Sequence, residues 1–405
     1  MYLMSFLLGS FVALFSVLPL RIKYYWRFLP LLLVYAVAFK GQLQKLAGGP
    51  IFFAPDLPSW LIRGNSALYA WLFFFAFLLF LSLPVRILFC LIRWKGCISK
   101  ENWQESRPGY NRVNLLLLGI AFCLTAYSLI KGNTVPEIKV LTAAVKNLPS
   151  GAQGMKIVFL TDLHIDKVTT PERIRAIVEK SNALVPDLIL LGGDLVDGKI
   201  KDSAAAVQEL RNLKGRYGVY AVPGNHEYYS GYDRWKKFLE QQKIIFLENE
   251  TERLPNGLYL SGVTDLAAKK YKKALPDLEK VRRDLPENAP AILLSHRPEG
   301  MEKVSDRYSL FLSGHTHGGM ILGLDLLVGL LNNGYYAGEY DINGMTLYIS
   351  AGTAIWQGFP ARLGHPAEIT LVILRRDGKN AASERITYRL LFSLKSTLKK
   401  LKSML

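Results

Sequence analysis

Asp162-Leu163-His164, Gly193-Asp194-Leu195-Val196-Asp197, Gly224-Asn225-His226-Glu227, a single His296 and Gly314-His315-Thr316-His317 follow one another along the chain. Imidazole nitrogen and carboxylate oxygen together suit borderline divalent metals such as manganese, iron or zinc, whereas magnesium and calcium prefer all-oxygen shells. The set holds enough ligands for two adjacent ions, and a carboxylate can bridge them. Metals about 3.5–4 Å apart can hold a bridging hydroxide, polarise a phosphoryl oxygen and steady the entering and leaving oxygens of an in-line displacement. Taken singly, each residue has a plainer reading. A loop aspartate more often caps the next helix, and a lone histidine is more often simply hydrogen-bonded. Five of the six histidines nevertheless fall in these motifs, and that concentration favours a dinuclear centre.

Most of these motifs follow a short apolar run rich in branched residues, the pattern of a buried strand that ends in a loop. Lys156-Ile157-Val158-Phe159-Leu160 precedes Asp162, Leu188-Ile189-Leu190-Leu191 precedes Asp194, and 217–222 precedes Asn225. Residues 291–294 precede His296, and Leu310-Phe311-Leu312 precedes His315. Further strands are expected at 244–247, 258–263, 346–350 and 368–374. Helices are expected at 171–183, capped by Thr170 with Pro171 in the first position, at 203–213 and at 232–242. A βαβ beginning followed by many strands predicts an α/β fold of two packed sheets flanked by helices. Glycines before Asp194, Asn225 and His315 permit the tight turns that aim those side chains inward.

The first third of the 405-residue chain has a different character. It is almost wholly apolar between short basic stretches, and four segments near 3–20, 24–40, 67–92 and 113–130 approach the roughly 20 apolar residues needed to cross a bilayer. A transmembrane domain at 1–134, a catalytic domain at 135–385 and a basic C-terminal segment at 386–405 are therefore expected. The first apolar run does not read as a cleaved signal peptide, because Arg21 and Lys23 follow it rather than precede it. Arg93, Lys95, Lys100, Arg107 and Arg112 place the stretch before the last span in the cytoplasm by the positive-inside rule. The catalytic domain then emerges on the extracytoplasmic side of a multi-pass protein of the cell membrane. Much of the net charge of +17 sits in this third and in the last fifteen or so residues, which fits a lipid surface and not nucleic acid. Cys90, Cys97 and Cys123 all precede residue 134, leaving the soluble part neither a disulfide framework nor a thiolate metal site.

The ordered set Asp-x-His, Gly-Asp-x-x-Asp, Gly-Asn-His-Glu, His and Gly-His-x-His resembles the calcineurin-like metallophosphoesterase superfamily over roughly 156–374. The resemblance implies a four-layer α/β/β/α sandwich, preceded here by an all-α transmembrane bundle of about four helices. It implies that Asp162, His164 and His317 bind one metal, that Asn225, His296 and His315 bind the other, and that Asp194 bridges them. His226 would stand outside the metal shell as the general acid, or as a cation stabilising the leaving oxygen, oriented by Asp197. Ser313 to Gly319, Ser350-Ala351-Gly352-Thr353 and Arg362 to Ile369 are similar to a membrane-tethered bacterial subgroup. Gly198 stands where the protein-phosphatase branch carries an arginine, which weighs against a phosphoprotein substrate.

The expected function is hydrolysis of a phosphodiester, phosphomonoester or pyrophosphate of a membrane or envelope compound, with two divalent ions (Mn, Zn or Fe) and a metal-bridged hydroxide. Two other readings stand beside it. One is a cytoplasm-facing lipid-precursor pyrophosphatase of the UDP-diacylglucosamine type, although His226-Glu227 stands where the soluble type has an Arg-Asp pair. The other is a non-catalytic metal-binding membrane sensor, against which the intact His226 and Asp197 argue. Residues 320–331 are too apolar for an exposed loop of a purely soluble enzyme and are read either as lipid-facing or as a helix packed on the fold. Leu391, Leu394, Leu398, Leu401 and Leu405 recur at three and four spacing opposite Lys395, Lys399, Lys400 and Lys402, the pattern of an interfacial amphipathic helix.

Overall fold

The computed structural model describes residues 2–18, 23–46, 56–94, 100–356 and 358–376; the basic C-terminal segment lies outside them. The chain divides into two compact units, Met1–Asn133 with Gln357–Ala361, and Thr134–Trp356 with the residues from Arg362 onward.

The first unit is helical: α1 (Tyr2–Val12, continued by a π-helical stretch Ala13–Val17), α2 (Phe28–Ala38), α3 (Lys40–Leu46), α4 (Ser59–Leu81), α5 (Leu83–Trp94) and α6 (Lys100–Asn133). Among the described residues two helices are long and apolar enough to cross a membrane, Ser59–Leu81 and Arg112–Asn133, while Tyr2–Val17 and Tyr25–Ala38 are shorter apolar helices. At 1.5 Å rise per residue α4 reaches roughly 34 Å, more than a hydrocarbon core of about 30 Å. The expected segment 67–92 differs from what is observed. Its helix starts at Ser59, behind Pro58 in extended backbone, and ends at Leu81, with Pro84 falling in the first turn of α5 where a missing N–H costs nothing. The basic stretch expected as a loop is helical backbone at both ends, in α5 and α6, and residues 95–99 between them lie outside the described residues. Polar groups link these helices: Ser10 meets the Tyr35 hydroxyl at 2.8 Å, Trp71 donates to the Leu118 carbonyl at 3.2 Å, and Arg86 donates to Asn114 at 2.7 Å.

The second unit contains two six-stranded mixed sheets. The strands in chain order are β1 (Glu137–Val145), β2 (Lys156–Leu160), β3 (Leu188–Leu191), β4 (Val219–Ala221), β5 (Ile244–Phe246), β6 (Glu250–Arg253), β7 (Tyr259–Gly262), β8 (Ala291–Leu294), β9 (Leu310–Ser313), β10 (Gly338–Ile342), β11 (Met345–Ile349) and β12 (Glu368–Arg376). One sheet runs β1-β12-β2-β3-β4-β5, with β2 to β5 parallel; the other runs β10-β11-β9-β8-β7-β6, with β7, β8, β9 and β11 parallel. The helices are α7 (Pro171–Asn182), α8 (Ile200–Gln208), α9 (Asn225–Ser230), α10 (Tyr232–Glu240), α11 (Leu278–Arg283) and α12 (Leu324–Leu331). Thr170 caps α7 through the amide of Arg173, as its sequence position predicts.

The continuous apolar runs are explained by burial on both faces. Ile157, Phe159, Leu188 and Leu190 share one core with Leu260, Ile292, Leu294, Leu310 and Leu312 of the other sheet. The alternate residues Val158, Leu160, Ile189 and Leu191 pack instead with Ile174 and Ile177 of α7, Val207 of α8 and Trp235 of α10. On the second sheet the alternates Leu293, Phe311 and Leu347 join Val281 of α11. Each fully buried side chain of this size contributes about 1.5–3 kcal/mol. A slip of one residue in β2 or β9 would exchange the two sets, so the register that fixes the strand ends is strongly specified.

Candidate metal centre

Every motif leaves the C-terminal end of a parallel strand. Asp162 and His164 follow β2, Asp194 and Asp197 follow β3, Asn225 and His226 open α9 after β4, His296 follows β8, and His315 and His317 follow β9. The two sheets are stitched at this edge: the amide of His315 donates to both Asp162 carboxylate oxygens at 3.1 and 3.2 Å, and the Thr353 amide donates to the Thr161 carbonyl at 2.7 Å. Asp162, His164, Asp194, His315 and His317 all have φ between 42° and 71°. Left-handed backbone at such residues costs of order 1–3 kcal/mol each and clusters at functional sites. Glycine is required for two further reasons. Gly193 sits at φ 86°, and a Cβ on Gly224 would collide with the Asp194 carboxylate.

The structure brings together all seven residues expected as ligands. Nε2 of His164 lies 3.0 Å from Nε2 of His317, which is 3.4 Å from Asp162 Oδ1. Nε2 of His296 lies 3.1 Å from His315 Nδ1, 3.2 Å from Asn225 Oδ1 and 3.2 Å from Asp194 Oδ2. The same Asp194 oxygen is 3.9 Å from His164 Nε2, so this carboxylate stands between the two groups. Among the described residues three sets of potential ligand atoms lie within 4.8 Å of one another: Asp162, His164 and His317; Asp194, His296 and His315; and His164, Asp194 and His226. Donors about 2.0–2.2 Å from one ion are separated by roughly 3.0–3.5 Å, so the observed spacings fit divalent cations.

Tautomers support the same fit. His296 Nδ1 lies 2.9 Å from the Gly192 carbonyl, and His164 Nδ1 lies 3.0 Å from Asp197 Oδ2. Each Nδ1 therefore carries a proton, and Nε2, the atom toward the neighbouring ligands, is the one a metal would take in place of its proton, the usual arrangement of metal-binding histidines. Burial, reinforced by the nearby His296 and Arg297 charges, holds His315 well below the ordinary imidazole range; burial with His164 and Arg362 does the same for His317. Burial would raise Asp194, yet His296, His226 and His164 hold it well below the usual carboxylate range.

His226 and Asp197 lie beside this cluster. His226 Nδ1 makes a very close contact with Asp197 Oδ1, while its Nε2 stands 3.9 Å from Asp194 Oδ2. Burial lowers the His226 affinity for a proton, but the Asp197 and Asp194 carboxylates outweigh it and push the pKa up to about 9. Asp197, buried but facing two imidazoles, falls to about 2. The His164 and His226 rings meet edge to face at 4.6 Å, and Trp356 and Tyr229 lie 5.8 and 5.3 Å from the His226 ring.

Several further residues brace the ligands. The Glu227 carboxylate accepts from the amides of Gly224, Asp194, Leu195 and Val196 at 2.6–3.1 Å, locking the turn after β3 to the start of α9. Asp166 closes its own turn through Val168 and Thr169. Arg362 is buried beneath His317 and donates to the carbonyls of Ala351 and Ala354 at 2.7 and 2.6 Å. Arg297 donates to Asp265 at 2.7 Å and to Asn225 Oδ1 at 3.1 Å. His365, outside every metal motif, meets Asp325 at 3.1 Å, which ties the loop after β11 to α12. That helix buries Asp325 and Gly329, while Leu326, Leu327, Leu330 and Leu331 are between 53% and 78% exposed. Packing on the fold thus accounts for its polar end but not for its leucines.

The comparisons with known proteins agree with this geometry. The calcineurin-like phosphoesterase profile matches residues 155–319, which contain all seven candidate ligands. An uncharacterized metallophosphoesterase of Helicobacter pylori strain J99 is 33% identical over 86% of this chain and 92% of its own length. A Danio rerio transmembrane protein with metallophosphoesterase domain is 30% identical over 80% of this chain and 76% of its own. An uncharacterized metallophosphoesterase of Aquifex aeolicus aligns over 99% of its length with 64% of this chain, at 29% identity. Motifs, strand-end placement and relatives converge: the chain belongs to the calcineurin-like metallophosphoesterases and is a metal-dependent phosphoester hydrolase with bacterial and vertebrate transmembrane relatives.

Proposed function

We propose that the chain is a membrane-anchored phosphohydrolase with a dinuclear centre, acting on a phosphodiester, phosphomonoester or pyrophosphate of a membrane or envelope compound. The observation that carries the reading is the position of the Asp194 carboxylate between the Asp162–His164–His317 group and the Asn225–His296–His315 group. In this reading the first group holds one divalent ion and the second group the other, with Asp194 serving both; Mn, Zn and Fe all suit the mixed nitrogen and oxygen donors. The ions supply Lewis-acid polarisation of the phosphoryl group and lower the pKa of a water molecule. His226 carries the proton that the leaving oxygen takes, and Asp197 keeps its imidazole charged and aimed. The two cores on either side of each sheet support a helix–sheet–sheet–helix order of four layers for this domain.

The membrane assignment rests on α4 and the apolar part of α6 and on the transmembrane relatives. We read the protein as multi-pass, with four apolar segments near 3–20, 24–40, 67–92 and 113–130, a catalytic domain at 135–385 on the extracytoplasmic side, and a lipid-surface segment at 386–405. The exposed leucines of α12 favour a bilayer as partner, since α12 follows His317 by only a few residues and would set the site beside the headgroup layer. The test is turnover of bis(p-nitrophenyl) phosphate by the purified full-length protein with added manganese, followed by a panel of phospholipid and nucleotide-sugar substrates. Bound metal with no hydrolysis of any of them would leave a binding or sensory protein. Labelling of a cysteine placed in the catalytic domain by an impermeant maleimide in intact cells tests its side; labelling only after lysis would put it in the cytoplasm.

A further inference from the structure

Arg297 follows His296 directly, and its guanidinium extends past Asn225 to His315. Nε donates to Asp265 Oδ2 at 2.7 Å, Nη2 donates to Asn225 Oδ1 at 3.1 Å, and Nη1 lies 2.9 Å from His315 Nε2. Asp265 is buried, and its other oxygen accepts from the Ala267 amide at 2.7 Å, so the direction of the guanidinium is fixed from behind. The arginine side chain itself remains 21% exposed.

The chemistry of His315 gives this arrangement a purpose. Its Nδ1 is the atom that faces His296 Nε2, at 3.1 Å, and is the atom available to a metal in that group. An imidazole that coordinates through Nδ1 carries its proton on Nε2 and has no lone pair there to offer. The Nη1 donors of Arg297 then face an N–H, and among the described residues they have no other acceptor. A guanidinium held within hydrogen-bond distance of two metal-site side chains is also repelled by a cation unless an anion lies between them. A phosphoryl oxygen satisfies both demands, and the planar fork of arginine suits it.

We propose that Arg297 is a substrate-binding residue that clamps a non-bridging phosphoryl oxygen at the Asn225–His296–His315 side of the centre, with Asp265 as its positioning residue. The proposal rests on the dinuclear reading above. Its test is calorimetric binding of inorganic phosphate to the full-length manganese-loaded protein in detergent, with metal content measured alongside, for wild type, Arg297→Gln and Arg297→Lys. The expected result is unchanged metal content and phosphate affinity weaker by about 10- to 100-fold in the glutamine variant, the worth of hydrogen bonds to a charged group. Lysine should recover only part, because a point charge does not replace the fork. For a diester, KM should rise more than kcat falls. Equal phosphate affinity in Arg297→Gln overturns the proposal, and so does loss of a metal, which would make Arg297 a brace for Asn225 and His315. If wild type binds metal but neither binds phosphate nor hydrolyses a diester, the dinuclear phosphohydrolase reading fails first and the clamp fails with it.

Discussion

Asp197→Asn tests how the proton-carrying and metal-holding halves of the site are joined. One carboxylate meets two histidines: Oδ2 lies 3.0 Å from His164 Nδ1, and Oδ1 contacts His226 Nδ1. An asparagine offers a single acceptor oxygen, so one of the two imidazoles must face an amide N–H instead. If that ring is His164, its proton moves to Nε2, the atom directed at His317, and metal binding suffers; losing such an orienting group typically costs about 10- to 100-fold in metal affinity. If it is His226, the imidazole loses both charge stabilisation and direction. Its pKa stands at about 9 against an ordinary 6.5; a shift of that size corresponds to roughly 3 kcal/mol, and Asp197 is the largest of its three carboxylate sources, ahead of Asp194 and Glu227. Without Asp197, burial draws the imidazole toward its neutral form near pH 7, and the loss of a positioned acid costs about 10²- to 10⁴-fold in rate.

The assay is kcat for bis(p-nitrophenyl) phosphate across a manganese titration, with bound metal measured by mass spectrometry. The expected pattern for Asp197→Asn is a loss of about 10²- to 10⁴-fold at saturating metal, and a further loss at limiting metal that excess manganese removes. His226→Ala should show only the first component, with its metals retained. Because both changes act on one proton-transfer unit, the double variant should be little worse at saturating metal than the worse single one. Wild-type kcat in Asp197→Asn with both metals bound would refute the reasoning, and so would losses that multiply independently.

Three further outcomes are expected. Asp194→Asn should lower metal content and abolish hydrolysis, because the amide lacks the charge that offsets two cations; two bound metals with full activity would remove Asp194 from the bridging position. Chelation should lower the thermal midpoint of the catalytic domain, since metal in about 1,000-fold excess over its Kd stabilises by about 4 kcal/mol, and a calorimetric scan showing the same midpoint with and without chelator would contradict a resident centre. Replacing Leu326, Leu327 and Leu330 of α12 by serine should leave hydrolysis of a small soluble diester within about twofold, because surface changes there cost within about 0.5 kcal/mol. Activity on a phosphodiester embedded in liposomes should fall, and equal loss on both substrates would make α12 part of the catalytic domain's packing.

The parts of the fold visible in the sequence are those with two buried faces. β2, β3, β8 and β9 are short unbroken apolar runs, and each ends at a ligand motif. Their positions follow from that pattern, whereas the grouping of the ligands into two sets comes from the resemblance to the superfamily. β6, Glu250–Arg253, and β10, Gly338–Ile342, lie at the edges of their sheet and carry mostly polar or exposed residues, so no apolar run marks them. β1 is hidden for a similar reason: its first four residues are exposed, and it pairs only with β12. α9 is six residues long and begins on the Asn225 ligand itself, too short for helical periodicity to emerge. Arg297 went unread because a single arginine has no spacing signature, and Arg362 was read only as part of the Arg362–Ile369 stretch, not as a contact of His317. The one available hint for Arg297 was its place next to His296.

The backbone at the ligands was equally invisible, and it bears on how the centre works. Glycine before Asp194 could be read as a turn, but nothing in Asp162, His164, His315 or His317 announces that the residue itself is left-handed. Five of seven candidate ligands share that conformation, and together the strain is of order several kcal/mol. The surrounding sheets tolerate it because their register is fixed by cores on both faces. The gain is geometric. These left-handed residues lie in the turns that follow the strands, where Asp162 from one sheet and His317 from the other approach to 3.4 Å. Substituting any of these ligands by alanine would therefore remove a donor yet leave the backbone strain in place. Glycine at the same position would remove the donor and relieve the strain, so His317→Gly should be more stable to chemical denaturation than His317→Ala in the metal-free protein. The difference expected is about 1 kcal/mol, offset in part by the greater chain entropy of glycine. Equal stability of the two variants would mean that the left-handed turns at this site are set by the ligands' own contacts and store no strain of their own.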